Sequence, residues 1–424
     1  MFIEFTVTNY RSIQDTQMMS MAASNYYNDL DGTNCFDCGV AGLPKLLRSA
    51  AIYGPNAAGK SNLFHALKFM QKFVLESHAQ QEGLQINIVP FALNKRSQTE
   101  PSEFEISFLQ DNVRYQYGFA ANKIRIVKEW LLAYPEGKAQ HWYERKYDAA
   151  TDKDEWHFSK KFIGRRQLWQ DATRKNALFL STAIQLNNEQ LKPVFNWFQK
   201  LVTILPSDQV LINFSVDHCA SKEGTSRIMR FMNAADINIV GIHVEMIPMP
   251  AIKHEMLPSG MPQSIKDSLL LDMQGKQIPD VQFLHKADNG EIVPFNLMDE
   301  SDGTKRLFTF AGPWLDVLAN GRVMFIDELG TSLHPLMLRF LLGLIQNPEI
   351  NKNYAQLIFT THDTSVLDTD ILRRDQIWFM EKDTEQKSRL YPLSDFKPRK
   401  EEAIEKGYLK GRYGALPFIG ELRF

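Results

Sequence analysis

An α/β fold assembled from both ends of the 424-residue chain is what the sequence predicts, and three runs of residues predict it. The apolar run from Leu47 to Tyr53 leads into Gly54-Pro-Asn-Ala-Ala-Gly-Lys-Ser61, and Leu63, Leu67, Met70 and Val74 then recur at helical spacing. Strand, glycine-rich loop and helix in that order form the setting of a phosphate-binding loop. Far along the chain, Val323-Met-Phe-Ile326 ends in Asp327-Glu328, as a buried parallel strand does where it opens on a ligand crevice. A third run, Gln356-Leu-Ile-Phe-Thr360, passes into Thr361-His362-Asp363.

The elements between these runs follow in order. Phe2-Ile-Glu-Phe-Thr-Val-Thr8 alternates and reads as an opening strand, and Asn9-Tyr-Arg-Ser-Ile13 follows it. Residues 20–45 are rich in Asn, Asp, Gly and Ser and are expected to form a surface loop. Alternating runs between Phe104 and Trp142 predict an antiparallel meander. The pattern turns helical from about 170 to 236, and 250–280, rich in Pro, Gly and Met, gives no assignment. From 281 the order strand, loop, helix, strand, helix, strand is expected through Met380. The expected domains are 1–120 and 285–424, the two parts of one head, with a mixed insertion over 121–284. No sustained heptads occur, so the insertion is expected to be a compact lid rather than a coiled-coil arm.

Composition narrows the function classes. Apolar residues at 44% and charged residues at 23% are ordinary for a globular chain and argue against disorder or low-complexity arrays. Lys plus Arg number 48 against 50 acidic residues, so any nucleic-acid binding would rest on a local patch rather than bulk charge. No run approaches the roughly 20 apolar residues of a membrane span. The start Met1-Phe-Ile-Glu-Phe-Thr6 lacks the basic region and cleavage site of a signal peptide. Three cysteines exclude a disulfide scaffold. A soluble cytoplasmic protein is expected.

The residue types give the chemistry. In the stretch Gly54, Pro55, Asn56, Ala57, Ala58, Gly59, Lys60, Ser61, the glycines let backbone N–H groups wrap phosphates, and the helix beyond adds its positive end. Lys60 would reach the β- and γ-phosphates, and the Ser61 hydroxyl would ligate Mg²⁺. Asp327 would hold the same ion, and Glu328 would polarise an attacking water. His362, at a third strand end, would contact the γ-phosphate. A guanine-specific enzyme would need an Asn-Lys-x-Asp element, which neither Asn94-Lys-Arg-Ser97 nor Asn351-Lys-Asn-Tyr354 supplies.

With Asn56 at its third place, the phosphate loop resembles that of the ATP-binding cassette ATPases of the SMC, RecF and OLD group. Glu300-Ser-Asp-Gly-Thr-Lys-Arg-Leu307 is similar to their signature motif, and Ile326-Asp-Glu-Leu-Gly-Thr-Ser-Leu-His-Pro335 to their Walker B and D-loop. His362 matches their switch histidine. The RloA-type prokaryotic ATPases share the opening Asn9-Tyr-Arg-Ser-Ile13 and an ending like Gly411-Arg-Tyr-Gly-Ala-Leu-Pro417. The resemblance covers roughly 1–110 and 285–424. It departs at Asp302, where transporters carry Gly, and Gln85 is the nearest candidate for a Q-loop.

The resemblance implies an ABC-type ATPase head whose two copies sandwich two ATP molecules with Mg²⁺. Ser301 and Gly303 would then act in trans on the other copy's γ-phosphate, Asn62 would stand beside the loop, and Arg11 would lie near the phosphates. It also implies a homodimer or higher oligomer that controls a separate effector, a nuclease or toxin, in defence against phage or mobile DNA. The alternative is a RecF- or SMC-like repair or replication ATPase that clamps DNA.

Three weaker constellations remain. Cys35-Phe-Asp-Cys38 has metal-ligand spacing, and His218-Cys219 could complete a zinc site, but loop cysteines without zinc are expected. Lys160, Lys161, Arg165 and Arg166 among Phe158, Phe162 and Trp169 suit a nucleic-acid strand, against a default reading as a solvated helix face. The insertion at about 120–285, with its exposed-looking run near Trp156 to Trp169, is also the expected docking surface for a partner. Asp368-Thr-Asp370 reads as a turn rather than a nuclease carboxylate pair.

Overall fold

The computed structural model describes residues 1–205, 211–248, 260–273 and 277–417. They form two compact units: Met1–Ser207 with Val317–Thr331 and Pro335–Phe424, and Asp208–Asp316 with Ser332–His334.

The first unit is built on a six-stranded sheet. Its spatial order is Val202–Ile204, Val323–Ile326, Gln356–Thr360, Ser49–Tyr53, Ile377–Lys382 and Ser388–Pro392. All neighbours pair in parallel except the last two, which are antiparallel. Every residue of the Ser49–Tyr53, Val323–Ile326 and Gln356–Thr360 strands is buried. That explains why they read as unbroken apolar runs rather than as alternations. One strand from the N-terminal part thus sits among strands from the C-terminal part, and the expected α/β P-loop ATPase-type fold, closed from both ends of the chain, is observed.

The helix Lys60–Glu76 covers this sheet with the predicted stripe Leu63, Leu67, Met70 and Val74, all buried, and with buried Phe64 beside it. Phe64 meets Phe325 edge-on at 5.5 Å, and Phe325 meets Phe2 at 5.3 Å. The meander is present as strands Ser102–Gln110, Val113–Ala121, Ile126–Tyr134, Gln140–Asp148 and Lys153–Phe158, with Phe2–Thr8 and Gln17–Ser20 added to make seven antiparallel strands. Buried Gln356 ties the two sheets together: its amide donates to Phe2 O and Leu47 O, both at 3.0 Å, and its carbonyl accepts from Phe2 N at 2.6 Å.

Two expectations are corrected. Residues 20–45 are not a free surface loop. Arg373, whose side chain is 0% exposed, donates to Asp31, to Asp375 and to the carbonyls of Ser24, Tyr27 and Asp29. Cys35 is buried in the same place. Its thiol donates to Asp31, and burial pushes it up to about 12. The aromatic side chains of the run from Trp156 to Trp169 are not exposed either, although Ile163 and Leu168 between them are. Phe162 and Trp169 are buried, and Trp156, Phe158 and Phe162 all pack on Phe179. Only Lys160, Lys161 and Arg165 of that run's basic residues stay exposed, with Arg166 half-buried.

The second unit contains helices Leu211–Cys219, Lys222–Ala234 and Gln263–Met273, and the antiparallel strands Gly241–Pro248, Gln277–Lys286 and Ile292–Asn296. The helix Asp302–Asn320 begins in it. Gly312 allows close packing there, since a Cβ would stand 2.6 Å from Ser215 N. Parts of 250–280 lie outside the described residues. Among the described residues no helix is long and apolar enough to cross a membrane.

Candidate functional site

Parallel pairing brings the ends of three strands to one edge of the six-stranded sheet. The Gln356–Thr360 strand lies between the strand entering the phosphate loop and the strand ending at Asp327. The sequence-predicted residues Gly54 to Asn62, Asp327, Glu328 and His362 therefore share that edge.

The loop is shaped by close contacts behind it. A Cβ at Gly54 would collide with the Met380 carbonyl on the neighbouring strand, and one at Gly59, where φ is +109°, would collide with the Ser388 hydroxyl. Ser388, 1% exposed, donates to Ala58 O and accepts from the Ser12 hydroxyl, both at 2.7 Å. Asn62 Nδ2 donates to the same Ser12 hydroxyl at 2.7 Å. Arg11 Nη1 stands 3.5 Å from Asn62 Oδ1, which places Arg11 beside the loop, while its buried Nε has no partner among the described residues. Asn56 and Ala57 are exposed at the loop tip, and Ser61 is half-buried in the first helical turn.

Lys60 is buried, with its Nζ donating to Gly54 O at 2.7 Å and to Pro55 O at 3.1 Å. It also lies 3.3 Å from His362 Nε2. Burial lowers the ammonium to about 8, against the opposing pull of Asp327 and Glu328. Partial burial of its ring and the Lys60 charge hold His362 below the usual histidine value.

Asp327 is 1% exposed. Its Oδ1 accepts from the Thr360 hydroxyl at 2.6 Å, and its Oδ2 has no partner among the described residues. An unpaired buried carboxylate oxygen is costly and suits a cation or an ordered water. Glu328 follows with φ +57°, a conformation that costs a non-glycine residue about 1–3 kcal/mol. The residue is half-buried at the sheet edge, its Oε2 accepting from the Thr331 hydroxyl at 3.5 Å.

Ser301 and Gly303 lie in the second unit. Ser301 is exposed, its Oγ accepting from Thr304 N at 3.1 Å and bonded to Thr304 Oγ1 at 2.9 Å, so it caps the Asp302–Asn320 helix. Asp368 and Asp370 form a turn, with Asp370 N donating to Asp368 Oδ1 at 3.0 Å. Sequence reasoning missed Ser12, Thr360 and Ser388. Each is a hydroxyl residue without periodic pattern, and Ser388 meets the loop from more than three hundred residues away.

A family model described as "AAA domain, putative AbiEii toxin, Type IV TA system" matches residues 49–368. No curated protein matches the chain. Among solved structures, the SMC head domain from Thermotoga maritima is similar at 14% identity and a TM-score of 0.40, covering 92% of this chain and 98% of that one. A structure of the SmcHead bound to the C-winged helix domain of ScpA is similar at 12% identity and a TM-score of 0.42, covering 94% and 99%.

Proposed function

The chain belongs to the AAA_21 family, described as AAA domain, putative AbiEii toxin, Type IV TA system, and on that premise we propose that it binds and hydrolyses ATP as a dimeric switch on a separate effector. The observation that carries this reading is the gathering of Lys60, Asp327, Glu328 and His362 around one central strand, beside a glycine loop shaped for close approach.

Each residue has a part. The backbone from Gly54 to Asn62 cradles the phosphates, and Lys60 exchanges its loop carbonyls for the β- and γ-phosphate oxygens. Ser61 and Asp327 would hold Mg²⁺, a fit supported by the buried, unpartnered Asp327 Oδ2. When bound, that ion supplies neutralisation of phosphate charge. Glu328 orients and polarises the attacking water, and His362 contacts the γ-phosphate. Arg11 adds positive charge beside Asn62. Ser301 and Gly303 offer a hydroxyl and a helix N-terminus to the other copy's γ-phosphate, so hydrolysis is tied to pairing.

ATP-dependent pairing changes the contact surface that a separate protein can read. The family description, with the RloA-like opening at Asn9 to Ile13 and ending at Gly411 to Pro417, supports a role in prokaryotic defence with a nuclease or toxin as effector. The test is purification from the native host in ATP and in ADP, with ATPase assays on wild type and Lys60→Ala. ATP hydrolysis lost in Lys60→Ala, together with a partner retained in one nucleotide state, is expected. Equal ATPase activity in both proteins would sink the enzymatic reading, and full biological activity from this chain alone would sink the effector.

A further inference from the structure

Thr360 ends the central strand with its side chain 0% exposed. Its hydroxyl donates to Asp327 Oδ1 at 2.6 Å and accepts from the Glu328 backbone N–H at 2.8 Å. Its carbonyl accepts from Leu329 N–H at 3.0 Å. A hydroxyl has one proton to give, and a carboxylate can only accept it, so the direction of both bonds is fixed. One side chain therefore grips both residues of the acidic pair.

That grip is where geometry demands it. Glu328 holds a left-handed backbone that non-glycine residues seldom adopt, and such strain persists only where the surroundings over-determine it. The amides on either side of its Cα, those of Glu328 and Leu329, are both anchored to Thr360. Thr360 occupies Oδ1 of Asp327 and leaves Oδ2 without a partner. We propose that Thr360 is a positioning residue: it aims the Glu328 carboxylate and ties that aim to the carboxylate of Asp327, dividing Asp327 into one oxygen for the protein and one for a ligand. The inference rests on the reading of Glu328 as the water-orienting residue.

Thr360→Val keeps the shape and removes both hydroxyl bonds, and Thr360→Ser keeps the hydroxyl. The readings are ATP affinity at equilibrium, single-turnover hydrolysis, and hydrogen exchange of the Glu328 amide in nucleotide-free protein. For Thr360→Val, hydrolysis should fall about 10–100-fold while ATP affinity stays within about threefold, since the loss is confined to the transition state. The Glu328 amide should exchange faster. Thr360→Ser should restore all three readings. If Thr360→Val does not fold, Thr360→Ala is read in the same way. Hydrolysis at the wild-type rate in the Val or Ala variant, with Glu328→Gln blocked, would overturn the inference and leave the reading of Glu328 standing. Wild-type hydrolysis in Glu328→Gln would instead remove that reading, and with it the role given to Thr360.

Discussion

The Lys60 ammonium stands 3.3 Å from Nε2 of His362 while donating to the carbonyls of Gly54 and Pro55. The cation is thus folded into the loop it serves, and burial brings it to about 8. Phosphates at that place would raise it again, so the complex holds the proton over a range where the free protein has lost it. Above pH 8, ATP binding should take up a proton, and affinity should fall by up to about tenfold per pH unit. Calorimetry in buffers of different ionisation heat reads this directly. Proton uptake at pH 9 is expected, and no uptake at pH 9 contradicts it.

The Gly54→Ala substitution puts a Cβ against the Met380 carbonyl, a backbone atom that cannot swing aside. Overpacking of this kind costs about 1–3 kcal/mol or more. We expect a lower denaturation midpoint together with weakened ATP binding. An unchanged midpoint with unchanged binding would show that the loop does not pass so close to the Ile377–Lys382 strand.

Arg373→Ala takes the buried cation from Asp31 and Asp375 and removes one donor from each of three backbone carbonyls. Breaking a buried pair from one side costs about 3–5 kcal/mol. Urea denaturation should show that loss, and limited proteolysis should open the chain near residues 24–36. Protection of that segment in the variant would count against Arg373 as its anchor.

How much of this was legible beforehand depends on how far apart the cooperating residues lie. The phosphate loop is contiguous, so strand, glycines and helix stripe could be read in one window. The sheet order could not, because only the fold places Gln356–Thr360 beside Ser49–Tyr53, a strand from the other end of the chain. Thr360 did carry one usable signal, its place at a strand end directly before Thr361-His362. Ser12 and Ser388 carried none. The run near Trp169 misled because short segments show no clear period: Phe162 and Trp169 turn inward onto Phe179 and Leu186 while Lys160 and Lys161 face solvent. The loop at 20–45 misled because polar composition signals solvent unless a buried arginine such as Arg373 collects it.

Ser301→Arg places a bulky cation at an exposed helix cap and leaves the residues of the phosphate loop unchanged. ATP binding should be spared and ATP-driven pairing lost. Mixing Ser301→Arg with Lys60→Ala chains should restore one composite site, seen as partial recovery of ATPase activity. Mixtures no more active than either variant alone would argue against action in trans.

The most direct measurement is the nucleotide state of Glu328→Gln after incubation with ATP and Mg²⁺. The substitution keeps the side chain's size and removes the charge that polarises water, so binding should persist and the chemical step should stop. Size-exclusion chromatography with analysis of the bound nucleotide should recover paired chains holding intact ATP. Recovery of ADP at the wild-type rate would contradict the assignment of Glu328 and the ATPase site built around it.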